Sequence, residues 1–278
     1  MIDLYNLSCR QCSQLVTNNY STSFSLGIKM FAPQLREPIY NIYGFVRFAD
    51  EIVDTFHDHD KPTLIKEFRE DTFRAIERGI SLNPILHSFQ ETVRRYRIEG
   101  ELIDAFLNSM EMDLDKSYFD RSQYETYIYG SAEVVGLMCL RVFVDGDQAQ
   151  YDKLKDGAMK LGSAFQKINF LRDIKSDHED RGRVYFPDVQ YRTFDCSQKR
   201  QIESEIQQEF DDALVSIREL PSGARLGVYL AYNYYLKLLK KIKKCSAMQV
   251  REQRIRVRDV RKIILLGTST LKYQLRAI

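Results

Sequence analysis

Apolar residues recur at three- and four-residue intervals along nearly all of this 278-residue chain, and no stretch alternates convincingly as a half-buried strand would. That pattern restricts the fold to amphipathic helices packed on one another, an all-α architecture. Breaks fall at FAPQLREP, HDHDKP, RGISLNP, VDGDQ, HEDRGRVYFPDV and LPSGAR, each carrying Gly, Pro or Asp/Asn. Between them the spacing predicts helices over 3–17, 36–56, 63–78, 84–95, 100–114, 121–143, 149–177, 197–219, 223–245 and 256–275. No low-complexity linker or short-period repeat divides the chain, so one all-α domain over 1–278 is expected.

Bulk composition narrows the function classes only slightly. A net charge of +2, 44% hydrophobic and 29% charged residues describe an ordinary globular chain rather than a disordered one. Five scattered cysteines, an odd number, point to a reduced intracellular protein. Cys9 and Cys12 form a C-x-x-C with no second pair, which favours i,i+3 positions on a first helix over zinc. The start MIDLYNLSCR lacks a signal-peptide pattern, and no uncharged apolar run approaches membrane-span length. A cytoplasmic protein is therefore expected, with peripheral contact at a bilayer left open.

Within FVRFADEIVDTF, two aspartates stand four apart in an aromatic, apolar run. Tyr43, Arg47, Asp50 and Asp54 fall on one narrow helical stripe. In FQKINFLRDIKSD, Gln166, Asn169, Asp173 and Asp177 form a second such stripe. Carboxylates at this spacing also occur at Glu67/Asp71, Glu111/Asp115 and Glu205/Glu209. The first and last of these sit in strongly polar surroundings and read as solvated faces. The two aspartate pairs differ because Phe45, Phe48, Ile52, Val53 and Phe56 flank one, while Phe165, Ile168, Phe170 and Leu171 precede the other. Charges on an apolar face need compensation. Two arrangements supply it: a joint metal site, or structural ion pairs with Arg47 and Arg172.

Facing pairs of hard oxygen ligands suit magnesium and leave coordination positions for substrate phosphates. Neither stripe carries His or Cys, which disfavours zinc and copper. Such a site stabilises a diphosphate leaving group as its C–O bond breaks, and Arg47 and Arg172 are placed to contact phosphate oxygens. Arg181 and Arg183, in the loop after the second stripe, read equally as a basic lid or as an ordinary polar loop. Gly130, Ser131, Ala132 and Gly136 lie in a long apolar helix, where they signal close packing or a kink that opens a cavity. Phe24, Tyr43, Tyr129, Phe165 and Phe170 would wall a cavity for a hydrocarbon, or serve as plain core.

These segments resemble the squalene/phytoene synthases, over nearly the whole chain. STSFSLG is similar to the family's early Ser-Phe-Ser motif, YGFVRFADEIVD to its first aspartate-rich helix, and YIYGSAEVVGLMCLRVF to its central Tyr-and-small-residue helix. FQKINFLRDIKSDHEDRGRVYFP resembles the second signature, Q-x-x-N-x-x-R-D-x-x-x-D followed by R-G-R-x-Y-x-P. EQRIRVRDVRK resembles the terminal basic segment.

The resemblance implies an all-helical isoprenoid-synthase-type bundle around a central cavity. It implies Asp50, Asp54, Asp173 and Asp177, with Asn169, as ligands of magnesium (manganese as substitute) and diphosphate. It implies Tyr43 and Arg47 beside them, and Ser21, Ser23, Phe24, Tyr129, Phe165, Gln166, Phe170, Arg172 and Arg254 on the substrate. Which of Tyr232, Tyr234 or Tyr235 faces the cavity stays open, and a basic C-terminal third also suits solvent or anionic lipid. Glu51 replaces a frequent Asp and points off the stripe; Glu133 replaces a frequent Gly; neither is placed in the site.

The implied reaction is head-to-head joining of two prenyl diphosphates. The favoured form takes two geranylgeranyl diphosphates through a cyclopropyl diphosphate to phytoene, without NADPH, as in carotenoid biosynthesis. The alternatives are a squalene or dehydrosqualene synthase acting on farnesyl diphosphate, and a non-catalytic assembly-factor homologue. No nucleic-acid partner is expected, and oligomeric state is not legible.

Overall fold

The computed structural model describes residues 1–115 and 118–256, apart from the side chain of Ser23. Helices follow one another as α1 (Ile2–Tyr20), α2 (Thr22–Ile28), α3 (Pro33–Asp54), α4 (Lys61–Arg78), α5 (Pro84–Tyr96), α6 (Gly100–Asp115), α7 (Arg121–Ile128), α8 (Val134–Phe143), α9 (Gln148–Glu179), α10 (Cys196–Glu219), α11 (Ser222–Ile242) and α12 (Ala247–Glu252). Among the described residues the β-structure is a single bridge, Tyr118 with Val184. No described helix is long and apolar enough to cross a membrane.

The polar residues at the sequence breaks start the next helices. Asp60, Asn83, Asp120, Asp147, Asp195 and Ser246 each accept a backbone N–H of the first turn, and Asp120, Asp195 and Ser246 complete capping boxes. Three expectations are revised. The segment after Ser21 is helical, because the Ser21 side chain caps α2 through the Phe24 N–H. Helix α3 begins at Pro33 rather than 36, since a proline at N1 loses no hydrogen bond, and it carries Pro38 inside. The long helix expected over 121–143 is interrupted by a π-helical turn, Tyr129–Glu133. Residues 247–252 form a helix that was not anticipated. The helix expected over 256–275 lies outside the described residues except for residue 256, which is not helical.

One hydrophobic core joins the helices. Its centre is aromatic: Phe45 stacks on Phe89 at 4.0 Å between ring centroids and lies 5.3 Å from Phe106, all three with no exposure. Full burial of each such ring contributes about 1.5–3 kcal/mol. Small residues set how closely α8 approaches α9. A Cβ on Gly136 would sit 2.8 Å from the Ala158 carbonyl oxygen, so close packing is the reason for that glycine. Gly130 is held as tightly against the Ala105 carbonyl of α6. Close packing on these flanks leaves a cavity of about 760 Å³ between α2, α3, α8, α9 and α11.

Candidate active site

Polarity changes steadily along the helices that line this cavity. On α9 the lining runs from Leu154, Gly157, Ala158 and Leu161 through Phe165 and Gln166 to Asn169, Asp173 and Asp177. That series covers about 35 Å at 1.5 Å per residue. On α3 it runs from Ile39 to Tyr43, Arg47, Asp50 and Asp54. On α11 it runs from Gly227 and Val228 to Tyr234 and Tyr235. The cavity is thus an apolar tunnel with both acidic stripes at one end.

The two stripes face each other across a single guanidinium. Arg181 lies 2.7 Å from Asp177 Oδ1 on α9 and 3.3 Å from Asp54 Oδ2 on α3. Arg254 Nε approaches Asp173 Oδ1 at 2.7 Å, and Arg172 Nε donates to both Asp173 oxygens at 3.0 and 3.1 Å. Arg47 stands 3.9 Å from Asp50, pairs closely with Glu51 and lies over the Tyr20 ring. Glu51 therefore holds Arg47 from outside the stripe. The loop after α9 folds back over the acids, which places its arginines in the site rather than in a solvated loop.

A fifth acid, Asp113 on α6, was not anticipated. It accepts the Tyr127 and Tyr185 hydroxyls at 2.8 and 3.1 Å, and Arg183 Nη1 lies 3.5 Å from it and 3.1 Å from Asp54. The sequence carried a signal for it: Asp113 continues the buried stripe Ile103, Phe106, Met110.

Burial dominates the protonation of these acids. It pushes Asp50 up to about 7 against the pull of Arg47, with Asp54 and Asp113 adding to the rise. Asp177 also reaches about 7, through burial partly offset by Arg181 and reinforced by Asp173. Asp113 rises to about 6, held there by burial against Arg183 and the Tyr127 hydroxyl. Burial keeps the Tyr127 phenol protonated well above its usual range, so it acts as a donor to Asp113.

Aromatic pairs line the tunnel just beyond the acids. Phe24 stacks on Tyr43 at 4.9 Å, and Phe165 on Tyr235 at 4.0 Å. Tyr235 donates its hydroxyl to Asn169 Oδ1 at 3.3 Å, while Gln166 reaches Ser131 at 3.3 Å. Of the three candidate tyrosines on α11, Tyr234 and Tyr235 line the cavity; Tyr232 is buried against Phe210 instead. Ser21, Phe24, Phe165, Phe170, Arg172 and Arg254 all line it. Ser23 lies on α2, and its side chain is outside the described structure.

Tyr129 is a correction. It is 38% exposed and does not line the cavity, whereas Tyr127, Ser131, Val135, Cys139 and Phe143 do. Tyr129 lies two residues, more than half a turn, off that stripe.

The donor set fits a hard divalent cation. Asp50, Asp54, Asn169, Asp173 and Asp177 offer carboxylate and amide oxygens, and a cationic guanidinium stands between Asp54 and Asp177. Among the described residues no three acidic, His or Cys side chains converge as a cage.

Comparison with known proteins defines first the class and then the family. The backbone matches a dehydrosqualene synthase solved with a ligand at a TM-score of 0.82, over 98% of both chains and at 19% identity. It matches a squalene synthase from Alicyclobacillus acidocaldarius at 0.76, over 87% of this chain and 95% of that one, also at 19% identity. The fold is that of the helical isoprenoid synthases. In sequence, the squalene/phytoene synthase profile matches residues 17–261, and the chain belongs to that family. It is 27% identical to phytoene synthase 1 of Solanum lycopersicum over 247 residues, 82% of this chain and 59% of that protein. It is 30% identical to presqualene diphosphate synthase of Rhodopseudomonas palustris over 174 residues, 60% of this chain and 58% of that protein. The matches thus span under two thirds of the length of these two relatives.

Proposed function

We propose that this chain joins two prenyl diphosphates head to head, with two geranylgeranyl diphosphates giving phytoene as the favoured reaction. The observation that carries the proposal is the tunnel itself, apolar over most of its length and ending where two acidic stripes face each other. The phytoene synthase relatives covering 82% of the chain support the geranylgeranyl form.

Asp50, Asp54, Asn169, Asp173 and Asp177 would hold magnesium, which when bound neutralises the diphosphate and eases its departure. Arg172, Arg181 and Arg254 then exchange carboxylate partners for phosphate oxygens. As the C–O bond of one substrate breaks, the Phe24–Tyr43 and Phe165–Tyr235 faces flank the allylic cation and exclude water. The double bond of the second substrate supplies the electron pair for the new C–C bond, and proton loss closes a cyclopropane that still carries diphosphate. A second ionisation, rearrangement and proton loss give the hydrocarbon. No step requires hydride, so NADPH is not needed for this product.

Purified protein with magnesium and labelled geranylgeranyl diphosphate should release diphosphate and form a C40 hydrocarbon without NADPH. Farnesyl-derived C30 product alone would assign it instead to the presqualene or dehydrosqualene branch, for which the Rhodopseudomonas palustris relative speaks. The absence of both product and diphosphate release with either substrate would defeat the enzyme reading.

The far end of the tunnel offers a test of chain length. Phe31 and Phe143 meet there at 5.0 Å, and the Phe31 ring occupies the space a Cβ on Gly227 would need, 2.3 Å away. Phe31→Ala should raise the preference for the longer diphosphate by about tenfold in a competition assay. An unchanged preference removes Phe31 from the floor of the tunnel.

Acid ionisation predicts how the cation stabilises the chain. Asp50, Asp113 and Asp177 hold protons more tightly folded than unfolded, so stability falls as pH rises from about 4 to about 7. Magnesium with inorganic pyrophosphate should offset that loss, raising Tm by several degrees more near pH 8 than near pH 5.5. Equal shifts at both pH values would separate the stripes from cation binding.

A further inference from the structure

The contact of Arg254 with Asp173 depends on a segment that starts far from the acids. Arg254 lies in extended chain just beyond α12, half exposed, with its side chain spanning back to α9. Nothing in its own turn fixes that reach. The chain around it is instead pinned on both sides. Behind it, Lys241 donates to the Arg256 carbonyl at 2.6 Å and Ile255 is buried in the core. Ahead of it, Arg251 and Tyr191 hold each other reciprocally. The Tyr191 hydroxyl donates to the Arg251 carbonyl at 3.1 Å, and the Arg251 guanidinium donates to the Arg192 carbonyl at 2.7 Å and the Tyr191 carbonyl at 3.5 Å.

Tyr191 is fixed in turn by α9. Its ring stacks on His178 at 4.1 Å and 21°, and its hydroxyl lies 3.5 Å from Glu179. His178 adjoins Asp177 in sequence. One short chain of contacts therefore runs from the acidic end of α9, through His178, Tyr191 and Arg251, to the strap that carries Arg254. Only Glu252 and Gln253 separate the pinned Arg251 from Arg254, about 10 Å of extended chain. A released Arg251 would let the guanidinium drift by several ångströms, further than a charge-assisted hydrogen bond to phosphate tolerates.

We propose that Tyr191 and Arg251 are positioning residues: they latch the 253–256 strap so that Arg254 stands over the acidic end of the tunnel, where it binds the substrate diphosphate. This assignment rests on the prenyl diphosphate reading for the ligand, but the latch itself is a property of the chain alone. Neither residue lines the cavity, so any effect on diphosphate binding must pass through Arg254.

A double-mutant cycle on the full chain separates positioning from general packing. With magnesium and a non-hydrolysable geranylgeranyl thiodiphosphate as probe, Arg254→Ala should weaken binding about tenfold, the loss of one charge-assisted hydrogen bond. Arg251→Ala should weaken it by a similar factor, Arg251→Lys by less, and the Arg251→Ala/Arg254→Ala pair no more than Arg254→Ala alone. In ligand-free protein, Arg251→Ala should speed amide hydrogen exchange over 253–256 while leaving α9 unchanged. Additive losses in the cycle, or unchanged exchange in the strap, overturn the latch. If wild-type protein binds no prenyl thiodiphosphate while the strap still loosens, the proposed function fails and Arg254 loses its diphosphate role; the exchange result tells the two failures apart.

Discussion

Asp54→Asn and Asp177→Asn should each lower turnover of the proposed reaction by about 10²–10³-fold, Asp177→Asn without lowering the melting temperature. The turnover loss follows from charge. Asn keeps the shape and one acceptor oxygen but cannot neutralise a cation, and loss of one preorganised electrostatic contact at a developing charge costs about that factor. The stability result follows from burial. Asp177 is pushed up to about 7 because its ionised form is buried beside Asp173 and Asp54, with Arg181 as partial compensation. A neutral amide at 177 removes that like-charge strain, so the fold is retained or gains, the usual trade between activity and stability at such sites. Arg181 still pairs with the remaining aspartate of the two, which keeps the loop after α9 in place. Diphosphate release assayed with magnesium, beside thermal melts read by circular dichroism, checks both halves. Turnover within threefold of wild type would remove the residue from the cation site, and a collapsed melt would make its role structural.

Most of the site lay open in the sequence because its two stripes obey helical periodicity without interruption. Tyr43, Arg47, Asp50 and Asp54 lie within the continuous helix α3, and Gln166 to Asp177 within α9, so spacing alone put each set on one face. Tyr127 escaped for a physical reason. The π-helical turn at Tyr129–Glu133 adds a residue to the turn, so the cavity face of α8 (Val135, Gly136, Cys139, Leu140 and Phe143) continues back through Ser131 and Ala132 to Tyr127. Asp113 escaped because a lone acid continuing an apolar stripe is visible only if each helix face is followed to its end. The contacts of Arg181 and Arg183 are tertiary. They depend on a loop reversing at Gly182, with φ at +67°, and charge spacing says nothing about which acids that reversal will meet.

Arg183→Ala should be the most damaging change to stability, by about 3–5 kcal/mol near pH 8, the range for removing one partner of a buried ion pair. That corresponds to a fall in Tm of roughly 10 °C for a chain of this size. Arg183 is 7% exposed and serves Asp54, Asp113 and the Tyr185 hydroxyl from one guanidinium. Without it Asp113 keeps only its two tyrosine donors, and burial is left unopposed by a cation. The consequence depends on pH with a definite sign. Asp113 already holds its proton up to about 6 with the arginine present, and loss of the arginine moves it higher. Below that point the acid is neutral and Arg183→Ala costs less; above it the acid must either ionise unpaired or bind a proton from solvent. The destabilisation measured by denaturant titration should therefore shrink between about pH 8 and pH 5.5. Asp113→Asn in the Arg183→Ala background should recover much of the loss at the higher pH, because a neutral amide needs no counter-ion, accepts from one tyrosine hydroxyl through its oxygen and donates to the other through its NH2. A loss that is flat with pH, or one that Asp113→Asn deepens, would mean that Arg183 acts through packing of its aliphatic stem rather than as the counter-charge to Asp113.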